Sequence, residues 1–195
     1  MWWAPLLNNI VALLGNGAAA STTSYESIAT VTVGAGGSSS ISFTSIPSTY
    51  KHLQIRGIIN STKSGASGQD SLELTMNNDA TALYSAHRLF GDGSGTTSDG
   101  FATQNYAYFG IQPQTTSAVS YYAAVVIDIL DYANTSKYKT FRSLMGFDAN
   151  GSGRVGLFSG SYQSTSAVNQ VTIYSDNRTA NFSQYSSFAL YGVKG

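Results

Sequence analysis

The sequence predicts an all-β protein: an antiparallel β-sandwich of jelly-roll type, preceded by a short N-terminal helical arm. Charged residues make up only 10% of the 195 residues, against about 25% in typical soluble domains. Solvated helices usually carry Lys and Glu pairs on their outer faces, and this chain can supply few of them. Thr, Val, Ile, Tyr and Phe favour strands instead, and the Gly and Ser clusters between them indicate turns.

Apolar and polar residues alternate in several segments after Tyr25, as in strands that are buried on one face. The clearest alternations are Ala29–Val31–Val33, Leu53–Ile55–Ile59 and Leu72–Leu74–Met76. Further strands are predicted near 39–46, 104–112, 137–147, 154–162, 168–175 and 186–193, which with the segment 121–130 makes about ten.

Two other segments of this region have distinctive compositions. Residues 121–130 are apolar on both faces apart from Asp128, which predicts a central strand with Val125 and Ile127 in the core. The Gly- and Ser-rich stretch from Gly91 to Thr103 predicts an exposed loop.

The chain divides at about Ser24 into an arm with its linker, residues 1–24, and a sandwich head, residues 25–195. Pro5 suits the first turn of a helix, apolar residues then follow at helical spacing, and Gly15 ends the pattern. A helix this short is marginal alone in water, so it must pack either on its own head or on a neighbouring subunit. The Gly-, Ala- and Ser-rich linker favours the neighbour. The predicted docking residues are Trp2, Trp3, Leu6, Leu7, Ile10, Val11 and Leu14.

The charge balance argues against several classes of partner. Ten basic residues are offset by ten acidic ones, so we expect no basic face for nucleic acid. No stretch is long and apolar enough to span a bilayer, so no membrane insertion is expected. Without cysteines, the head has no disulfides to stabilise it, and oligomerisation is the usual substitute. We expect a homo-oligomer, with a trimer as the favoured form.

No set of residues predicts catalysis or a cofactor. The chain has two histidines, His52 and His87, and no G-x-S-x-G nucleophile motif. A pair of carboxylates for sugar hydrolysis would have to converge in a cleft, and the spacing of the acidic residues singles out no pair. The candidates are Glu26, Asp70, Glu73, Asp128 and Asp131.

Gly151, Gly153 and Gly156 match the spacing of a dinucleotide-binding loop, but the residues after them predict a strand rather than a helix. We therefore predict a β-turn here. Asp148 and the residues after it also imitate the start of a calcium loop, although Ser159 stands where an EF-hand needs an acidic residue. A looser calcium site near Asp148 stays open beside an Asn-Gly turn.

Tyrosine is abundant, with 13 residues. Most are expected in the core or in subunit contacts, because tyrosine buries a large area and keeps a polar group for hydrogen bonding. The alternative is a face that recognises a glycan or a protein. The candidates for such surface recognition are Tyr106, Tyr108, Tyr121, Tyr122 and Tyr162.

Segments along nearly the whole chain resemble virion structural proteins of tailed bacteriophages, especially those that infect cyanobacteria. The matching stretches are LLNNIVALLG (6–15), YESIATVTVG (25–34), FTSIPSTYKHLQIRGI (43–58), HRLFGDG (87–93), DILDYANTSKYKTFRSL (128–144) and FSQYSSFALYGVKG (182–195).

The resemblance implies a non-enzymatic component on the exterior of the particle. It would be either a tail fibre or appendage anchored by the arm, which could contact a host surface glycan, or a capsid decoration (cement) protein. The implied partners are copies of itself and other virion proteins. Two hypotheses from other classes are a free carbohydrate-binding module and a glycan-degrading enzyme, and the acidic residues argue against the second.

Overall fold

A computed structural model describes residues 24–64, 68–114, 121–175 and 178–195. Over these ranges the chain forms an antiparallel β-sandwich of two sheets, which confirms the prediction of an all-β sandwich. The predicted arm, with Trp2, Trp3 and the aliphatic docking residues up to Leu14, lies outside the described residues. The described part contains no helix long and apolar enough to cross a membrane.

The larger sheet has eight strands. In their order across the sheet they are β1 (Tyr25–Thr32), β12 (Ser187–Val193), β3 (His52–Ile59), β8 (Ala123–Leu130), β9 (Lys139–Asp148), β10 (Gly153–Tyr162), β5 (Tyr84–Gly91) and β6 (Thr96–Gln104). Each pairs antiparallel with its neighbours, and β1 and β6 are the edge strands.

The smaller sheet has four strands and covers one face of the larger one. Its order is β2 (Ser40–Phe43), β11 (Val171–Ser175), β4 (Gln69–Met76) and β7 (Ala107–Pro113), again antiparallel. The first five strands alternate between the two sheets. Consecutive segments are therefore stacked face to face, and their inward residues build a common core.

The core contains the residues that alternation predicted. Leu53 and Ile55 of β3 and Leu72 and Leu74 of β4 belong to one core cluster, and all four are fully buried. Burying each such side chain contributes roughly 1.5–3 kcal/mol. The alternation of apolar and polar residues therefore indicates which face of each strand packs against the other sheet.

Strand β8 is central, as predicted, but only one of its faces is buried. Val125 and Ile127 lie in the core, with 2% and 0% of their surface exposed. Val126, between them, points away from the sandwich and is 37% exposed. The strand is apolar on both faces, yet within the described residues nothing covers this side of the larger sheet.

The stretch predicted as an exposed loop, Gly91–Thr103, instead belongs to a hairpin. Its residues form most of β6, which pairs with β5 through a short turn at Asp92–Gly95. Asp92 holds this turn by accepting bonds from the backbone N–H groups of Ser94 and Gly95, both at 3.0 Å. The stretch is exposed because β6 is an edge strand, not because it lacks secondary structure.

The glycines after Asp148 form a hairpin turn between β9 and β10, as predicted. Asn150 and Gly151 have φ values of 60° and 88°, which a two-residue type I′ turn requires and which Asn-Gly adopts readily. Asp148 Oδ1 accepts the N–H of Gly151 at 3.0 Å. The carboxylate therefore stabilises the turn.

Lys139 is a fully buried lysine at the start of β9. Its ammonium donates to the backbone carbonyls of Asn134, Lys137 and Ser164. It thus ties the connection between β8 and β9 to the segment that follows β10.

We expect Lys139→Met to destabilise the protein by about 1–3 kcal/mol, because three backbone carbonyls lose their charged donor while the packed stem is kept. Thermal or urea unfolding measures the change. Lys194→Met is the matched control: its ammonium lies 3.2 Å from Glu26 in an exposed pair, which contributes about 0–1 kcal/mol. Equal effects of the two substitutions would contradict the structural role of Lys139.

Candidate functional site

The outward face of the larger sheet carries a band of exposed aliphatic residues, which we call the apolar stripe. In register, Val126 of β8 lies beside Leu144 of β9, then Leu157 of β10 and Leu89 of β5. Val155 and Ile58 extend the band in the neighbouring row. The stripe consists of Ile58, Leu89, Val126, Leu144, Val155 and Leu157, and five of these six side chains are more than half exposed.

Polar residues border the stripe on the same face. Asp128 accepts bonds from Gln54 at 2.8 Å and from Arg142 at 3.0 Å. Arg56 in turn donates to Gln54 at 2.8 Å and lies over the rings of Tyr25 and Tyr191. Each of these charged side chains next to the stripe therefore already has a partner on the same face.

This face departs from the usual pattern of an antiparallel sheet. A sheet with one solvated face normally places polar residues outward, whereas here aliphatic residues of five neighbouring strands lie side by side. At a strand spacing of about 4.8 Å the stripe is roughly 19 Å long. Contiguous exposed apolar patches on soluble proteins usually mark a surface that contacts another molecule.

A second feature, which we call the aromatic groove, lies where the hairpin β5–β6 projects past the edge strand β7. It has a volume of about 240 Å³ and is lined by Ser71, Arg88, Phe101, Gln104, Tyr106 and Tyr108. The smaller sheet ends at β7, so the inner side of β6 is left partly uncovered. The groove therefore follows from the unequal widths of the two sheets.

Arg88 organises this groove. Its guanidinium makes a two-pronged contact with Asp99, at 2.6 and 2.7 Å, and donates to the hydroxyl of Tyr108 at 2.8 Å. It also lies about 5 Å from the ring centres of Phe90, Phe101 and Tyr108. The contact with Asp99 raises the pKa of Arg88. The side chain is a fixed cation that holds the aromatic rings in place.

Burial affects the phenols of the groove as well. It raises the pKa of Tyr108 and, with a contribution from the nearby Glu73 carboxylate, that of Tyr106. Both phenols are therefore protonated at neutral pH, so each hydroxyl has a proton to donate.

The five tyrosines predicted for surface recognition do not share one face. Tyr106 and Tyr108 lie together in the aromatic groove. Tyr121 lines a separate hollow near the β9–β10 turn, and Tyr122 donates its hydroxyl to the carbonyl of Gln184 at 2.7 Å.

The structure corrects the assignment of Tyr162 as a candidate for surface recognition. It is 2% exposed, its ring stacks on Tyr84 at 4.8 Å between centroids, and its hydroxyl donates to Asp79 at 2.8 Å. It is a core residue because its position on β10 points inward, so it cannot serve as a surface recognition residue.

The acidic residues considered for catalysis are each engaged in local contacts. Asp128 belongs to the polar border of the stripe, and Asp131 binds Lys137 and lies 3.2 Å from Lys51. These two lysines lower the pKa of Asp131. Asp70 accepts a bond from Gln114, Glu73 accepts one from Ser71 at 2.8 Å, and Glu26 pairs with Lys194.

The two histidines lie in unrelated places. His52 Nδ1 accepts the backbone N–H of Asp131 at 2.9 Å. His87 is on the outward face, beside Gly100 of the neighbouring strand. Among the described residues no group of three or more His, Cys, Asp or Glu side chains could hold a metal ion, and the calcium site suggested near Asp148 stays without a ligand set there.

The stripe was not predicted from the sequence, although a feature of the sequence indicates some of its residues. Each of five members stands next to an inward apolar residue, which interrupts the alternation with an apolar pair. These pairs are Ile58–Ile59, Leu89–Phe90, Val125–Val126, Leu144–Met145 and Leu157–Phe158.

Comparisons with known proteins do not identify a family for this chain. No protein-family model and no curated protein matches the chain. Two solved structures are similar at a low level, both crystal structures of scytalido-glutamic peptidase. The one with a peptide-based transition state analog has a TM-score of 0.31 and 13% identity, over 76% of this chain and 73% of that one. The one with a transition state analog inhibitor has a TM-score of 0.31 and 12% identity, over 77% and 73%. Such TM-scores are too low to support an argument about fold or activity.

Proposed function

We propose that this protein is a non-enzymatic structural component on the exterior of a virion, built into it by contacts with copies of itself and with other virion proteins. The observation that carries the proposal is the apolar stripe. Full burial of an aliphatic side chain contributes roughly 1.5–3 kcal/mol, and the six in the stripe are about half exposed, so covering each would contribute about half of that value. A subunit of an assembly would have this surface covered.

The resemblance to virion proteins of tailed phages supports the same proposal. Within it, we favour a tail fibre or appendage subunit anchored by the N-terminal arm, with a capsid decoration protein as the alternative placement. The alternation of the first five strands between the sheets favours a jelly-roll arrangement for the sandwich. A trimer is the proposed oligomer.

Particle location tests the proposal. An antibody against residues 24–195 should label intact particles in negative-stain micrographs, and the protein should follow the particles through a density gradient. Label at the tail or over the shell distinguishes the two placements. A protein that stays in the soluble lysate fraction, with unlabelled particles, would overturn the proposal.

A second candidate function is binding of a carbohydrate, as a free module or as the part of a virion protein that meets a host glycan. The observation that favours it is the aromatic groove. Rings of Phe101, Tyr106 and Tyr108 offer apolar faces to a sugar ring. Gln104, Ser71 and the tyrosine hydroxyls offer hydrogen-bond donors and acceptors at the rim.

Replacing one ring of the groove tests this second function. Tyr106→Ala should lower retention on a glycan array by about tenfold or more, since an aromatic contact and a hydroxyl are lost together. Tyr185→Ala is the matched control, because Tyr185 is 69% exposed and lies outside the groove. Absence of any glycan signal for the unmodified protein, or equal losses in the two variants, would contradict carbohydrate binding in the groove.

A further inference from the structure

The apolar stripe needs an occupant whose chemistry matches it. Its six side chains are all aliphatic, and the charged groups at its border, Asp128 with Arg142, already satisfy each other. A charged or strongly polar ligand would find no free partner in the stripe. The occupant must therefore be apolar.

The first 24 residues of this chain have that chemistry. They contain no charged side chain, since the first is Glu26. Two tryptophans and six large aliphatic residues fall within residues 1–14. The helix that the sequence predicts for residues 5–14 would be about 15 Å long and 10 Å wide with its side chains, which fits a stripe of roughly 19 Å.

The point where the described chain begins limits how these residues can reach a stripe. Ser24 lies at the start of the edge strand β1, where its carbonyl accepts the N–H of Lys194 at 3.0 Å. The middle of the stripe, on β9, is four strands away, about 19 Å. A flexible linker of the length of Gly15–Ser24 spans about 17 Å on average and about 33 Å at full extension.

A path to the chain's own stripe is unfavourable although it is long enough. The linker would cross the outward faces of β12 and β3, over Tyr191, Arg56 and Gln54. Covering this hydrogen-bonded network would remove water from its charged groups, which costs free energy unless each group finds a new partner. A linker that leaves the edge of the sheet towards an adjacent copy does not have to cross this network of its own chain.

We propose that residues 1–14 of a neighbouring copy cover the apolar stripe of each subunit. Every copy then gives one arm and receives one, an arrangement that a ring such as the proposed trimer satisfies and that a dimer with exchanged arms also satisfies. This inference names the partner within the assembly proposed above and rests on that proposed function for its biological setting. Its test uses the isolated full-length protein, so its failure is separate from a failure to find the protein on particles.

The test begins with a matched pair of variants on β10. Leu157→Lys places a charge in the middle of the stripe, and Ser159→Lys places the same charge at the next outward position, in the polar border. Both positions are exposed, so both variants should fold. By sedimentation equilibrium we expect Leu157→Lys to weaken self-association by about tenfold or more, and Ser159→Lys to leave it nearly unchanged.

Complementation identifies the occupant. The double variant Leu7→Asp with Ile10→Asp leaves the stripe intact but places charges on the apolar arm. Leu157→Lys leaves the arm intact but places a charge in the stripe. Each alone should be monomeric, and an equimolar mixture should form heterodimers, because one variant supplies the arm and the other the stripe. A fluorescent label on one variant measures this heterodimer directly.

Each other occupant predicts a different result and would overturn the proposal. If two stripes pack face to face, the arm variant still self-associates. If the arm covers the stripe of its own chain, the unmodified protein is monomeric and the arm variant gains a tendency to associate. If another virion protein covers the stripe, the unmodified protein and all variants are monomeric, and the mixture forms no heterodimer.

Discussion

Ile127→Ala should lower the free energy of unfolding by about 2–5 kcal/mol, through lost burial and the cavity that remains. Ile127 is fully buried on the central strand β8, between Ile55 of β3 and Ser143 of β9 in the register of the sheet. Neighbouring strands on both sides limit how far the site can collapse. Urea unfolding, analysed with a common slope, measures the change.

Val126→Ala is the matched control for this prediction. Val126 is the next residue on the same strand, points to the outward face and is 37% exposed. Val126→Ala removes two side-chain carbon atoms, one fewer than Ile127→Ala, and at dilutions where the protein is monomeric it should cost less than about 1 kcal/mol, as at most surface positions. Comparable losses at the two positions in the monomer would contradict the burial of only one face of β8.

The sequence predicted most strands because alternation is a direct consequence of one-sided burial. It failed at the β5–β6 hairpin for a physical reason. The inward positions there include Arg88 and Asp99, whose charges would ordinarily mark a solvent-facing position. They can point inward because they neutralise each other and lie among the aromatic rings at the edge of the sandwich. Such compensation depends on pairing between strands and has no local pattern.

The two candidate surfaces differ in how far the sequence could predict them. Tyr106 and Tyr108 were predicted as recognition residues, and the structure adds that Phe101 and Arg88 lie beside them. Predicting the apolar stripe would also have required the order of the strands in the sheet. Leu89 and Leu157 are far apart in the chain and become neighbours only because β5 pairs with β10. Apolar pairs in the sequence indicate that some outward positions are apolar, but not that they form one band.

Tyr162→Ala should destabilise the protein by about 3–5 kcal/mol, as expected when a large buried aromatic side chain is removed. The ring of Tyr162 stacks on Tyr84, and its hydroxyl donates to Asp79. Tyr84 is itself fully buried, and its hydroxyl donates to the carbonyl of Asp79 at 2.9 Å. Loss of Tyr162 therefore removes the stacked partner and leaves the Asp79 carboxylate with one donor fewer.

A comparison with Tyr106→Ala separates core tyrosines from recognition tyrosines. Tyr106 lies partly exposed in the aromatic groove, so its replacement should change thermal stability little while lowering glycan retention, if the groove binds a sugar. Tyr162→Ala should lower thermal stability but leave glycan retention unchanged at temperatures where the variant is still folded, because the Tyr162 side chain is buried. A thermal melt and a glycan array on the same two variants check both statements. A Tyr162→Ala protein as stable as the unmodified one would contradict the burial of this residue.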